Sequence, residues 1–525
     1  MESNYPSIFN DVIGPVMRGP SSSHCAASVR IGRLARDLMG GKIESVRVTF
    51  DPRGSLATTH QSQGTDMGLF GGFLGWDTHD RRLVDSEKTI ETAGIRVEID
   101  ISDIGAEHPN TYKLVLENKT ERHEMIALST GGGMIEVIEI DGAPVSVAGD
   151  FFETLIFLEA DEDGLVRHLE QQVSYDAIRL CRGEDTRFVQ VKARQFLTGS
   201  VCSDLEQKAA VIGIKKLSPV LPILSGRKTT VPFMTCHEMA AYNKKENLDL
   251  WELALRYESA RGGISKNQVF EKMKQVVGIM QTSLREGLKG TEYADRILGV
   301  QSGLFKDRME QNRLLDSGIL NRIILYVTAM MEIKSAMGVI VAAPTAGACA
   351  GLPGACIGAA HAMGLPEDEI VKGMLAAGMI GIFISSHATF AAEVGGCQAE
   401  CGAGSGMAAA ALVTLAKGDA KQAIHASSMA LQNILGMVCD PVANRVEVPC
   451  LGKNVLGASN AVACANMALA DFDPVIPLDE VIGAMDRVGR SLPSALRCTA
   501  RGGLSVTRTS KAIEEKLKAG QPTSI

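Results

Sequence analysis

The chain has 525 residues, 53 basic and 61 acidic, and a formal net charge of −8. That length leaves room for about three domains, and the absence of a basic tract or basic aromatic patch argues against nucleic acid as a partner. Twelve cysteines without dense, regular spacing do not read as a secreted disulfide framework, and the amino terminus shows no basic-then-apolar export signal, so a reducing cytoplasm is expected.

Residues 1–148 alternate helical and strand patterns and predict an α+β domain. Ser22 or Ser23 can cap a helix through Val29, Ile31, Leu34 and Leu38, which Gly40-Gly41 stops. Residues 42–50 alternate as a strand with Val46, Val48 and Phe50 on one face. A second helix starts near Gly64-Thr65-Asp66, and further strands are expected at 95–101, 112–117, 125–129 and 134–140.

Residues 152–224 form a separate unit. Strands at 154–158, 176–181, 187–191 and 217–221, with helices at 163–172 and 204–212, give the order β-α-β-β-α-β of the ferredoxin-like arrangement. A structural spacer or dimerisation module is the plain alternative to a sensor. Residues 225–235 read as a linker. From 236 to 525 the period is helical, with long amphipathic stretches at 269–288 and 319–337 and helices rich in Ala, Gly, Met and Ser from 351 to 470. The uncharged run 335–365 is the one stretch resembling a membrane span, and its prolines and glycines argue for a buried turn and helix instead.

The densest chemistry lies between residues 395 and 450. Cys397 follows Gly395-Gly396, Cys439 precedes Asp440-Pro441, and Cys450 follows Val448-Pro449, so each stands at a turn or helix end where thiolates can converge. They make none of the C-x-x-C pairs usual for structural zinc. Three thiolates with a fourth position open suit an iron-sulfur cluster that can bind substrate, and inert buried thiols are the alternative. At the other end of the chain, Gly19-Pro20-Ser21-Ser22-Ser23-His24 offers hydroxyls and free N–H groups where a carboxylate can bind. His24 is the residue there most suited to proton transfer.

The wording Ala-Glu-Val-Gly-Gly-Cys397-Gln-Ala-Glu, Cys439-Asp-Pro-Val and Val-Pro-Cys450 resembles the iron-sulfur-dependent L-serine dehydratases, with their beta and alpha portions fused. The amino-terminal motifs Gly19 to His24, Gly54-Ser55-Leu56-Ala57, Gly64-Thr65-Asp66, His108-Pro109-Asn110 and Gly131-Gly132-Gly133 recur in the family's order. The resemblance implies a 4Fe-4S cluster on Cys397, Cys439 and Cys450. It implies substrate binding by Ser21, Ser22, Ser23, Thr65, Asp66 and, more weakly, Thr345, and catalysis by His24 and His60. It also makes 152–224 similar to the amino-acid-binding ACT domain.

Three departures stand out. Gln63 occupies the place where relatives usually carry His, so His60 of the same loop is expected to take over as base, with His24 the other candidate. Ala346 stands where the family usually has Asn. Many relatives end in a cysteine that folds back on the open iron, whereas this sequence ends Pro-Thr-Ser524-Ile525; Cys401 and Cys498 are alternative caps, and Arg497 or Arg501 could bind a carboxylate near the mouth.

The expected reaction is elimination of water, then ammonia, from a small 3-hydroxy-2-amino acid, L-serine by default, by Lewis-acid help to the departing hydroxyl and removal of the α-proton by a base. The alternatives are another substrate, such as cysteine or a different hydroxy acid, and a non-catalytic amino-acid sensor. The expected partners are a small amino-acid substrate and a second copy in a homodimer, with neither nucleic acid nor membrane.

Overall fold

Alternating residues at 42–50 do what their period demands. In the computed structural model, which describes residues 5–160, 164–227 and 229–520, Ser45–Phe50 is a strand whose Val46, Val48 and Phe50 are buried. It lies in a six-stranded sheet in the order Arg96–Ile101, Ser45–Phe50, Thr111–Glu117, Arg122–Gly131, Met134–Ile140, Ala143–Val147. Only the first pair is parallel. Helices Ala27–Leu38 and Thr65–Phe73 cross backbone to backbone, because Gly32 and Gly72 meet there: a Cβ on Gly72 would lie 2.4 Å from the Val29 carbonyl oxygen. That crossing sets the serine turn beside the Gly64-Thr65-Asp66 loop.

The expected serine cap is not made. Residues Ser22–Ala26 form a wide turn ahead of the helix with no side-chain cap bond, because the serine hydroxyls face distant partners instead. Gly40 and Gly41, both at positive φ, end the helix as expected.

The middle region runs Phe152–Leu158, Leu165–Gln172, Ala177–Arg182, Arg187–Ala193, Gly199–Glu206, Val211–Leu217. Its four strands pair antiparallel in the order fourth, first, third, second. The second helix lies earlier than expected at 204–212, because the Thr198 hydroxyl accepts from the Val201 N–H and starts it there. The last strand is 211–217 rather than 217–221, paired along Phe152–Leu158. Residue 163, where the first helix was expected to begin, lies outside the described residues. One sheet face buries Ile156, Val189 and Val191 under the two helices, and the other gives Leu155, Phe157 and Phe188 to the amino-terminal core.

The carboxy-terminal region is a helical assembly around Cys401–Leu415, which is buried along its whole length and packed by Gly351–Ala362, Glu367–His387, Ala420–Gln432 and Cys450–Leu469. It is not purely helical: Ile340–Val341 pairs with Val16–Met17. Among the described residues, Glu367–His387, not the run 335–365, is the helix long and apolar enough to cross a membrane; most of it is buried inside the protein.

Ile8, Phe9, Val12 and Ile13 pack in this helical core. Glu258 pins that turn, accepting from the Ser7 hydroxyl at 2.5 Å and the Ile8 N–H at 2.8 Å. Burial pushes the Glu258 carboxyl up to about 7 and that of Asp11 up to about 6. A carboxyl raised in the folded state contributes stability that is complete below its unfolded value and lost as pH rises through its folded value. Wild-type stability should therefore fall relative to Glu258→Gln between about pH 4.5 and 7, by up to ~3 kcal/mol. Urea unfolding of both proteins at pH 5 and pH 8 measures this, and a constant difference between them would contradict it.

Candidate active site

Three cysteines reach one place by three local devices. Gly396, at φ 71°, turns the chain after Ala392–Gly395 and delivers Cys397 into the turn Cys397–Ala399. Cys439 is bridged to the segment around Arg497, its N–H donating to the Leu496 carbonyl at 2.8 Å and its carbonyl accepting from the Cys498 N–H at 3.1 Å. Cys450 is the first residue of the helix Cys450–Leu469, where the positive dipole end favours a thiolate.

Sγ of Cys397, Sγ of Cys439 and a carboxylate oxygen of Glu400 lie within 4.8 Å of one another. Cys450 stands outside that tight group but close enough to Cys397 to interact electrostatically. Hydrogen bonds with Cys397 and Cys498, then burial, hold the Cys439 thiol far above its usual range; burial and then Cys397 do the same for Cys450. Close, buried thiols that oppose each other's ionisation are donors a soft metal satisfies by displacing their protons. Lys453 supplies positive charge there, its ammonium donating to the Val438 carbonyl at 2.6 Å and to Asp440 at 2.9 Å. The residues present fit a thiolate-held metal group.

Cys498 and Cys401, raised above as alternative caps, both adjoin this group. Cys498 shares a small apolar cluster with Ala392, Cys397 and Cys439, and Cys401 opens the central helix with the Asn454 amide donating to its sulfur at 3.6 Å. The terminal Ser524 and Ile525 lie outside the described residues.

The serine turn closes on the same spot. The Ser23 hydroxyl donates to Glu393 Oε1 at 2.6 Å, and the Ser22 hydroxyl accepts from the Ala346 N–H at 3.2 Å. His24 is fully buried, with Nε2 at 2.7 Å from the Thr59 hydroxyl and Nδ1 at 3.0 Å from Ser21 Oγ and 3.1 Å from Ser23 Oγ. The tautomer follows from counting hydrogens. Thr59 spends its only hydroxyl hydrogen on the Ser55 carbonyl at 2.7 Å, so His24 Nε2 must be the donor in that pair. Nδ1 therefore carries the lone pair, and with Ser23 committed to Glu393, Ser21 donates to it. Burial lowers the His24 pKa below its ordinary 6.5, with Glu393 opposing, and leaves a neutral imidazole at neutral pH.

His60 is placed differently. Its Nδ1 lies 2.8 and 2.9 Å from the two Asp66 oxygens, and its ring packs 5.6 Å from that of Phe50. Gln63, not His60, turns to the cysteines: its amide donates to Asn444 at 3.1 Å and to Cys498 Sγ at 3.7 Å. Thr65 is buried beside Tyr112. Asp66, with Pro20 and Gly64, lines a cavity of about 430 Å³ that Lys334 and Arg445 also border. Thr345 donates to Glu400 at 2.7 Å, and burial pushes the Glu400 carboxyl up to about 7. Arg501 is exposed and bonded to the Pro52 carbonyl, whereas Arg497 reaches the Val394 carbonyl beside the cysteines.

Sequence reasoning missed Glu393, Glu400, Asn444 and Lys453. Two of these flank Cys397 within the motif Ala-Glu393-Val-Gly-Gly-Cys397-Gln-Ala-Glu400, so the signal was present: carboxylates three and four residues from a cysteine at a turn. Together they join the two halves of the site, Glu393 through Ser23 and Glu400 through Thr345.

A buried neutral imidazole among hydroxyls, with close thiols suited to a metal, has the parts of an enzyme's active site. Residues 245–505 match the family model for the serine dehydratase alpha chain. The chain is 34% identical over 288 residues to a probable L-serine dehydratase alpha chain of Bacillus subtilis, covering 55% of this chain and 96% of that one. It is 32% identical over 221 residues to the probable beta chain from the same organism, covering 41% and 99%. An L-serine dehydratase of Helicobacter pylori aligns over 504 residues at 26% identity, covering 93% and 96%. The chain belongs to the L-serine dehydratase family.

Proposed function

We propose that this enzyme eliminates water and then ammonia from L-serine, giving pyruvate. One observation carries the reading: the segment that bears Cys397 also bears Glu393 and Glu400, which hold the serine turn and Thr345. Cys397, Cys439 and Cys450 would hold a 4Fe-4S cluster, which would supply Lewis acidity toward the departing hydroxyl. Ser22 orients the substrate carboxylate at the turn whose Ser21 and Ser23 hydroxyls are held by His24 and Glu393, with Thr65, Asp66 and Thr345 completing its surroundings. His24 receives the α-proton at Nδ1 by way of the Ser21 hydroxyl, and Thr59 keeps that nitrogen free of its own proton. The released enamine tautomerises and hydrolyses without further help.

The same reading divides the chain into a beta-like part (1–148), a ferredoxin-like, ACT-like part (152–224) and an alpha-like part (236–525), in a cytoplasmic homodimer. The strand order of the middle part supports its ferredoxin-like assignment. Gln63, bonded to Cys498 where relatives usually carry His, favours a second reading in which the departing group differs, as in loss of sulfide from cysteine or of water from another hydroxy acid.

Anaerobically purified protein should be brown, contain iron and acid-labile sulfide, and release pyruvate and ammonia from L-serine. Fully active, colourless protein with stoichiometric zinc would overturn the cluster. Turnover of cysteine or another hydroxy acid but not serine would select the second reading, and tight amino-acid binding without any turnover would make the chain a sensor.

A further inference from the structure

Asn110 has no part in the reading above, yet it is fully buried and neither its side-chain nitrogen nor its oxygen has a hydrogen-bond partner among the described residues. Its backbone, by contrast, is fully engaged: the N–H donates to His108 Nδ1 at 3.1 Å and the carbonyl accepts from the Ser129 N–H at 3.0 Å. The adjoining bonds fix where this loop sits. Ser129 donates through its hydroxyl to the Ser23 carbonyl at 2.7 Å, and the Pro109 carbonyl accepts from the Ser55 N–H at 2.9 Å. His108 lies near enough to Glu393 to interact with it, and Glu393 holds Ser23. The loop 108–110 therefore borders the serine turn, and Ser55, which binds it, also donates through its hydroxyl to the Cys498 carbonyl at 3.2 Å.

An amide buried with both ends unpaired is costly, and an apolar side chain of similar volume would avoid that cost. An amide offers a donating NH2 group and an accepting oxygen side by side. The head of an α-amino acid presents the complement, a carboxylate that accepts and an ammonium that donates. Resting on the function proposed above, we propose that Asn110 is a substrate-binding residue that reads this head group, Nδ2 donating to the carboxylate and Oδ1 accepting from the ammonium. It acts with the serine turn and selects amino acids over acids that lack the amine.

L-Alanine is the probe, since it has both head groups and no leaving group, so its binding depends on neither turnover nor metal. Calorimetric titration of the full-length protein, wild type and Asn110→Leu, should show affinity for L-alanine reduced about 10- to 100-fold by the substitution. The melting temperature of the ligand-free variant should be unchanged or higher, the opposite of what loss of a structural side chain produces. Asn110→Ala gives the same readout if leucine does not fold. Equal L-alanine affinity in wild type and variant, or a lower melting temperature with affinity intact, as for a side chain bridged by internal water, overturns the assignment while leaving the proposed function standing. A wild type that binds neither L-alanine nor L-serine overturns both.

Discussion

Cys439→Ser should abolish metal retention and lower turnover about a thousandfold or more, equivalent to ~4 kcal/mol of barrier. Cys397→Ser and Cys450→Ser should do the same, because a hydroxyl is a poor ligand for a soft metal. Cys181 and Cys202 lie in the cores around the middle sheet, so their serine variants should keep full iron. Iron and sulfide per chain, measured beside pyruvate release, decide the matter. Full iron in any one of the first three variants would remove that residue from the ligand set, and Cys450, which stands outside the tight group of Cys397, Cys439 and Glu400, is the one most sharply tested.

His24→Ala should reduce kcat by about 10²- to 10⁴-fold with iron content unchanged, the usual range for loss of a general base. His60→Ala should cost less than about tenfold. The contrast comes from placement: Nδ1 of His24 faces Ser21 and Ser23, while Nδ1 of His60 is occupied by Asp66. Because burial lowers the His24 pKa, the acid limb of kcat/KM should fall below pH 6.5. Exchange of the substrate α-proton for deuterium is the direct readout. Its loss in His60→Ala with retention in His24→Ala would return the base to the 60–66 loop, as the sequence had suggested.

The choice between these two histidines marks where sequence reading stops. The strand at 45–50, the glycine stops at 40 and 41, the helix from Thr65, Cys397 at a turn and Cys450 at a helix start were legible because each depends on a period or a local backbone preference written within a few residues, whereas Cys439 lies in an extended bridge to Arg497. The helix Gly199–Glu206 was misplaced because one hydroxyl bond at Thr198 outweighs a longer amphipathic pattern. The ends of the middle strands were likewise settled by partners in other segments.

The site itself belongs to the second kind. Nothing within ten residues of Ser23 shows that its hydroxyl will donate to Glu393, 370 positions away, rather than cap its own helix. The lone pair on His24 Nδ1 depends on Thr59, and Thr59 on Ser55. Motif spacing therefore determined by itself which residue types stand ready, namely thiols at turns and hydroxyls beside an imidazole. Only the tertiary structure decided which histidine is neutral with a free lone pair, which carboxylates join the two halves of the site and which buried amide is left unpaired. A hydrogen bond is settled by where its partner lies in space, and that leaves no periodic trace along the chain.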